Sequence, residues 1–599
     1  MSHKHVINDP RKLAVDSLVG LGRLNPSLNI DVANRVACLR SVPKDRVAII
    51  SGGGSGHEPA HAGFVGDGLL TAAICGNVFA SPNVGQIRQA VEQVANDKGT
   101  LAVVMRYTGD VLLFGLAKEQ QAVTNPDRPF RLTIVGDDVA VGRSQGRLVG
   151  RRGLAGTVLV YKLASALADT GAELEDVHAL AEYAATRVGT MGAGLDHCHI
   201  PGTGPAEAHL AAGEVELGMG IHNESGIGKL PLPSSAELVE KMLAYIIDTT
   251  DKERAFLPYA HDGQDEIILL VNNLGGMSEL ELSSIANDVV EALERRERKI
   301  TVRRLMVGTV MTSLNLPGFS ITTLLLPRES NRSKYSSDQL LRLWDAPASA
   351  PGWRFTSVSE PGSTASWSSP STESTPSTVK SGAAPLAHSD FNAFTRALSA
   401  ACEAVVAAEP EITRFDTIAG DGDAGLTLKA GAEGVLERLN ADGLDRQDVI
   451  TAVLQIAQVV EKTMDGTSGA LYSIWSNALA AGLARVAAAS SSSPVSPAIW
   501  AEALDHALRV LYDYTAARRP SRTLVDPLAA FTEAYTASQG ADFAAAVQAA
   551  ATACEETKDL VAQAGRAAYV DRAGLQEAQV PDPGAYGVVT ILKGIQSTL

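Results

Sequence analysis

Cysteine is scarce in this chain. Five thiols in 599 residues (Cys38, Cys75, Cys198, Cys402 and Cys554) are scattered, odd in number and form no C-x-x-C pair. That excludes a disulfide framework and points to a reducing, cytoplasmic setting. Positive charge is in deficit as well: 51 Lys and Arg against 68 Asp and Glu give a net charge of −17. Nucleic acid and anionic membrane are therefore excluded as main partners. No uninterrupted apolar run reaches membrane-spanning length, and Met1–Pro10 holds no apolar signal core, so no membrane segment is expected. What remains is ordinary for soluble domains, 45% hydrophobic and 20% charged. The length exceeds one core and implies roughly two to four folding units.

Composition divides the chain. Between Pro361 and Thr378, 14 of 18 residues are Ser, Thr or Pro, too polar to offset the chain entropy of ordering, so the stretch reads as a flexible linker. Residues 1–345 form one predicted domain, 346–388 the linker and 389–599 a second domain. In the first, short β-rich runs alternate with helical patterns. Val47–Ile50 leads into Ser51-Gly-Gly-Gly-Ser-Gly-His57, Leu101–Met105 into Tyr107-Thr-Gly-Asp110, and Leu132–Val135 into Gly136-Asp-Asp138. This alternation predicts an α/β fold with substantially parallel pairing and a ligand site beyond the strands' carboxyl ends. Glu266–Val271 and Ile321–Leu326 predict a second sheet. The second domain is Ala-rich and helical: Asp390 precedes Phe391, Phe394, Leu398, Cys402 and Val405, and Asp448 precedes a similar run, so an all-helical bundle or barrel is expected.

Chemistry in the helical half centres on Asp416-Thr-Ile-Ala-Gly-Asp421-Gly-Asp423-Ala-Gly425. Three carboxylates interleaved with glycines offer hard oxygen ligands to Mg²⁺, which usually takes a few carboxylates plus substrate phosphates. An EF-hand is ruled out by the order of ligands and by Ala432 where its closing Glu belongs. Gly466-Thr467-Ser468-Gly469 opens a helical run, where backbone amides and hydroxyls suit a phosphate. Pro581-Asp582-Pro-Gly584-Ala585 is a rigid turn.

In the first half, the Ser51–His57 glycine loop lacks the G-K-[ST] ending of a phosphate loop, so a smaller, less charged ligand is expected on it. His57, Glu58 and His61 bring acid–base capacity. Asp110, at a strand's carboxyl end, is a candidate general base or else a helix N-cap. His222 sits among glycines that allow a ligand close to its imidazole.

These segments together resemble the dihydroxyacetone kinase family. In the helical half the resemblance rests on D-x(4)-D-G-D-x-G from Asp416, G-T-S-G-A-L-Y from Gly466, R-T-x-x-D-x-L from Arg522 and D-P-G-A from Asp582. In the first half it rests on S-G-G-G-S-G-H-E-P-A-H-A-G from Ser51, Y-T-G-D from Tyr107, G-M-G-I-H ending at His222, V-N-N-L-G-G from Val271 and T-S-L from Thr312. The resemblance implies a ketose-binding domain joined to a helical-barrel domain carrying ATP and Mg²⁺. It implies that His222 bonds the substrate carbonyl as a hemiaminal, that His57 and Asp110 act as acid and base, and that Gly53, Gly54, Ser55, Gly56 and Met105 contact the sugar. Asp416, Asp421 and Asp423 then hold magnesium, and Thr427, Gly466, Thr467, Ser468, Arg522, Asp582 and Gly584 line the nucleotide. A homodimer is also implied.

The resemblance breaks at two places. Many members carry Lys where this chain has Met105, leaving Arg106 as a substitute only if it faces the pocket. Leu195-Asp-His-Cys-His199 replaces a pattern of small residues and is expected to line the pocket, with a His197, Cys198 and His199 metal set as a minor alternative. These changes bring a four-carbon ketose such as erythrulose alongside dihydroxyacetone as the expected substrate. Splitting of FAD to AMP and cyclic FMN, phosphoprotein-dependent phosphorylation and ketose sensing are the rival activities. Fusion of the two halves favours free ATP as donor, and the retained aspartates disfavour a mere sensor.

Overall fold

The structure is a computed structural model that describes residues 5–204, 208–295, 298–328, 333–354, 379–489, 494–563, 567 and 572–599. The Ser/Thr/Pro-rich linker sequence lies outside the described residues. The chain separates into two compact units, Met1–Trp367 and Ser368–Leu599.

The first unit contains two six-stranded sheets. Strands β1 (Leu28–Asp31), β2 (Val36–Leu39), β3 (Ala48–Ser55), β4 (Ala72–Val78), β5 (Thr100–Met105) and β6 (Phe130–Val135) lie in the order β1-β2-β4-β3-β5-β6. The β4-β3-β5-β6 core is parallel, while β1 and β2 add antiparallel edge strands. The second sheet takes β7 (Val188–Gly194), β8 (Glu214–Leu217), β9 (Gly228–Pro231), β10 (Glu266–Asn273), β11 (Thr301–Gly308) and β12 (Gly318–Leu325) in the order β11-β10-β12-β7-β8-β9. Here only β10 and β11 pair in parallel. The predicted parallel character thus belongs to the first sheet; the second is mainly antiparallel because β7, β8 and β9 follow one another as antiparallel neighbours and β12 lies antiparallel between β10 and β7.

Packing follows from side-chain alternation. Ile50, Ala102 and Val104 meet Ile87, Ala90 and Phe114 of the helices Val84–Gln93 and Thr108–Thr124 on one face of the first sheet. Ile49, Leu101 and Val103 on its other face meet Val158, Leu159 and Leu163 of the Gly156–Ala168 helix. The same core continues to Ile268, Leu270 and Leu324 of the second sheet, so that helix is buried between the two sheets. This explains why it is apolar all round, with even Lys162 fully buried and donating to Ala346 O at 2.7 Å. Ile267, Leu269 and Val271 point the other way, against the helices Ser235–Ile247 and Glu279–Glu294. Packing on this unit continues past Asp345: Gly352 N–H donates to Gly63 O at 2.7 Å and Trp353 rests on Phe64 and Trp344.

The predicted loop at Ser51–His57 is corrected here. β3 runs through Gly52, Gly53 and Gly54 to Ser55. A Cβ on Gly52 would strike Ile74 O of β4, and one on Gly54 would lie 2.8 Å from Ala80 N. The glycines therefore admit neighbouring backbone into a buried strand.

The second unit is helical, from Phe391–Ala419 to Pro583–Gln596. Asp390 and Asp448 cap their helices through side-chain bonds to Ala393 N and to Ile450 N and Thr451 N. First and last helices close on one another: Tyr586 donates to Glu411 at 2.8 Å, Phe415 stacks edge-on to Tyr586, and Gly594 lets Ala401 approach its bare Cα. The interior keeps an apolar cavity of about 480 Å³, bordered by Leu398, Val405, Leu428, Val453, Leu471 and Phe531. Among the described residues, no helix is long and apolar enough to cross a membrane.

Candidate active site

The carboxyl ends of β3 and β5 converge on Gly53. A Cβ there would lie 3.5 Å from Met105 Cε and 3.9 Å from both Asp110 Oδ2 and His61 Nε2. Asp110 stands in the first turn of the Thr108–Thr124 helix and is not its N-cap, a position held by Tyr107 without a side-chain bond. It is 4% exposed, and its Oδ1 has no hydrogen-bond partner. Burial raises its carboxyl to about 6, against a hydrogen bond from Ser81 and the charge of His222. Arg106 does not replace the missing lysine, because its guanidinium packs over Gly136 and Gly150. Ser55 donates to Gly76 O at 2.9 Å, tying β3 to β4. Gly56 takes φ +106°, which glycine alone adopts readily, and its carbonyl accepts from Leu314 N.

Three histidines meet this pocket, and their tautomers follow from their partners. Ser51 Oγ donates to Val103 O at 2.7 Å, so His61 Nδ1, 3.2 Å away, donates to Ser51. The buried Nε2 of His61 is left as a bare acceptor without a partner, and burial lowers this imidazole to about 4. His57 Nδ1 donates to Thr312 O at 2.8 Å, and its Nε2 meets His222 Nε2 at 3.0 Å. Burial and the charge of His222 bring His57 down to about 3. His222 Nδ1 lies 3.1 Å from Glu224 Oε1, while Glu224 Oε2 accepts the His222 amide at 2.8 Å. Burial opposes ionisation of Glu224, but the hydrogen bond from His222 and its charge outweigh it and bring the carboxyl to about 2. Phe79 and Tyr107 flank the His222 ring edge-on at 5.1 and 4.7 Å. Sequence reasoning passed over Glu224, although it stands two residues after His222 in the same glycine-rich segment; Thr312, which orients His57, was legible only as part of T-S-L.

The Asp196–His199 stretch supports this constellation from behind. Asp196 Oδ1 accepts the amides of His197 and His209, and Cys198 exchanges two hydrogen bonds with the Asn223 side chain at 2.9 and 3.0 Å. Asn223 adopts φ +62°, so these bonds hold the strained turn directly after His222. His199 stacks on His5. The predicted His197, Cys198 and His199 set is not assembled. Instead His197, His209 and Glu216 cluster with ligand atoms within 4.8 Å. The two imidazoles lie face to face, 3.6 Å apart and 14° from parallel, so their in-plane lone pairs do not converge on one ion, and His209 bonds Glu216 at 2.9 Å.

In the second unit Asp416, Asp421 and Asp423 gather with ligand atoms within 4.8 Å. Asp416, buried at the end of the Phe391–Ala419 helix, accepts amides from Gly422, Asp423 and Ala424 on Oδ2 at 2.9–3.0 Å. One oxygen thus shapes the loop, and Gly422 at φ +85° completes the turn. The all-carboxylate donor set fits Mg²⁺. Arg522 is 1% exposed, donates from Nη2 to Val580 O at 3.0 Å and keeps Nη1 buried without a partner, a donor suited to an anionic oxygen. Asp582 caps the Pro583–Gln596 helix through Ala585 N at 2.9 Å. Burial raises it to about 6, against that bond and the charge of Arg522; Asp526 and Asp416 add to the rise, which brings Asp416 to the same end of the barrel. Gly584 packs against Leu524, 3.2 Å from the Cβ it lacks. Thr427 lies in the first turn of the Ala424–Asn440 helix, its amide bonded to Asp423 O. Gly466, at φ +71°, opens the Gly466–Ala489 helix with Thr467 and Ser468 in its first turn, and Tyr472 of that helix lies within the field of Asp582.

Residues 19–352 match the family described as Dak1 domain and residues 418–597 the DAK2 domain. The chain is 41% identical over 615 residues to the dihydroxyacetone kinase of Pichia angusta, covering 99% of this chain and 98% of the relative. It is 37% identical over 612 residues to Triokinase/FMN cyclase of Homo sapiens, covering 100% of both. Among solved structures, the dihydroxyacetone kinase of C. freundii in complex with AMP-PNP and Mg²⁺ matches at TM-score 0.58 and 28% identity, covering 100% of each chain.

Proposed function

The chain belongs to the dihydroxyacetone kinase family, and from that premise we propose that it captures a three- or four-carbon ketose on His222 and phosphorylates a terminal hydroxyl. It is an ATP-dependent kinase that uses Mg²⁺. The observation that carries the finer reading is the convergence of Asp110, His61 and Met105 on Gly53, next to the contact of His57 with His222. Asp110 accepts the proton as the hydroxyl oxygen attacks the γ-phosphorus and the bond to ADP breaks. His61 offers its bare nitrogen to a substrate hydroxyl. His222 holds the carbonyl carbon, which aligns the reacting hydroxyl and discriminates against polyols that have no carbonyl. Asp416, Asp421 and Asp423 would hold magnesium, which would supply positive charge against the phosphates; the buried, unpartnered Arg522 Nη1 would donate to a phosphate oxygen. Met105 places an uncharged side chain against Gly53 where many family members carry a lysine, the departure that brings a four-carbon ketose into the reading. The five free, buried thiols support a reducing compartment.

A coupled ADP-release assay with dihydroxyacetone, both erythrulose enantiomers and glycerol tests this reading. Turnover of ketoses but not of glycerol is expected. Glycerol turnover matching that of the ketoses refutes capture, and turnover of dihydroxyacetone alone refutes the four-carbon substrate. The 37% identity to Triokinase/FMN cyclase supports a second activity, release of cyclic FMN from FAD, checked by incubating the enzyme with FAD and divalent cation.

A further inference from the structure

We propose that Glu224 is the positioning residue that keeps His222 and His57 sharing one proton in the resting enzyme, and that this proton becomes the hydroxyl hydrogen of the captured ketose. The inference rests on covalent capture by His222 and adds the group that sets its protonation.

The count follows from the contacts. His57 Nδ1 carries hydrogen because it faces a carbonyl, Thr312 O at 2.8 Å. His222 Nδ1 carries hydrogen because it faces a carboxylate, Glu224 Oε1 at 3.1 Å. The two remaining nitrogens lie 3.0 Å apart, a distance at which two bare lone pairs repel and one hydrogen between them bonds. The pair therefore holds three ring hydrogens and one positive charge, opposite the negative charge of Glu224. Burial disfavours the cation on His57, so the charge rests on His222 beside its carboxylate. The surroundings support this distribution. The charge of His222 acts on Asp110, Arg152 lies beside Glu224 and is anchored by Asp138 at 2.7 Å, and Tyr107 and Cys198 face the same carboxylate as neutral groups, both raised by burial and Tyr107 strongly so. Carboxylate and guanidinium meet over Gly220, where a Cβ would strike both Glu224 and Arg152.

Capture then balances without outside acid or base. The shared hydrogen moves to His57 Nε2, and the His222 Nε2 lone pair adds to the carbonyl carbon. The C=O π pair moves to oxygen, which takes the hydrogen from His57. A C–N bond and an O–H bond have formed, the π bond has broken, and His57 is neutral again. The adduct's imidazolium keeps its Nδ1 hydrogen on Glu224, so total charge is unchanged. Release reverses each step.

The test loads carbonyl-labelled dihydroxyacetone onto the full-length enzyme without nucleotide and follows the tetrahedral carbon by carbon-13 NMR across pH. His222→Ala serves as the blank. Wild type is expected to form the adduct up to the pH at which the shared proton is lost. Glu224→Gln keeps the shape but removes the charge, so the alkaline limb is expected about one pH unit or more lower, with adduct about tenfold scarcer at neutral pH. Glu224→Asp is expected to recover part of that loss. An unchanged limb and population in Glu224→Gln overturn the role of Glu224 while leaving capture intact. Absence of a tetrahedral carbon in wild type overturns capture and this inference together. Nitrogen-15 histidine spectra of the resting wild type, assigned with His222→Ala, are independent of how the variant folds: hydrogen on His222 Nδ1 is expected, and a bare Nδ1 overturns the proposal.

Discussion

Replacement of Asp110 by Asn is expected to change activity and stability in opposite directions. Asp110 is 4% exposed, and burial lifts its carboxyl from 3.8 to about 6 in the folded protein. A group whose folded value is raised binds its proton more tightly when folded. Below the unfolded value both states are protonated and the site costs nothing. Between the two values the unfolded chain ionises while the folded one does not, so stability falls as pH rises; above about 6 the full cost persists. Roughly two units at ~1.4 kcal/mol each set a ceiling of about 3 kcal/mol. Asn is isosteric and never ionises, so Asp110→Asn should raise stability by up to about 3 kcal/mol at about pH 8, with the gain vanishing toward about pH 4. Removing the base should lower kcat/KM by about two to four orders of magnitude over the same range. Calorimetry of the first unit's transition at several pH values, alongside the ADP-release assay, checks both signs. Equal or lower stability of the variant at about pH 8, or retained turnover, would refute the assignment of a buried base with a raised carboxyl.

Adjacent glycines should separate function from folding. Gly53→Ala adds a methyl 3.5 Å from Met105 Cε and should raise the ketose KM at least about tenfold with little change in melting temperature, whereas Gly52→Ala, which meets Ile74 O, should depress the melting temperature by the overpacking of a buried strand. Met105→Lys puts an ammonium beside Asp110, so the loss of kcat/KM on acidification, centred near about 6 in wild type, should move down by about one unit or more; an unmoved limb in the pH profile would separate Met105 from Asp110. Asp421→Asn should cut ADP release by about two orders of magnitude while the carbon-13 adduct signal persists, because the variant alters the donor site of the helical unit and not His222.

Much of this was legible in the residues, and what was not has physical causes. Val47–Ile50 and Leu101–Met105 announced β3 and β5 because strands buried on both faces are continuously apolar, and Leu132–Val135 announced the edge strand β6 through its β-branched residues. Asp390 and Asp448 announced their helices because capping is local chemistry. The spacing of Asp416, Asp421 and Asp423 is likewise local, and they gather as a set. The glycine run at Gly52–Gly54 misled, since glycine marks a tight turn and a strand pressed by its neighbour equally well; only the approach of Ile74 and Ala80 decides which. Asp196–His199 was expected in the pocket, yet its polar groups close the Asn223 turn, because two segments far apart in sequence meet there.

The scarcity of cysteine, the acidic charge, the division into an α/β half and a helical half, and the types of residue available for ketose and metal chemistry were determined by the sequence itself, since each depends on composition or on neighbours within a few positions. Protonation was decided by tertiary structure. His57, His61 and His222 are the same side chain, but Thr312, Ser51 and Glu224 face them with a carbonyl, a hydroxyl already donating elsewhere and a carboxylate. A hydrogen-bond partner and the depth of burial set where a proton sits, and β3, the Thr312 turn and the His222 turn come together only when both sheets have closed around the helix between them.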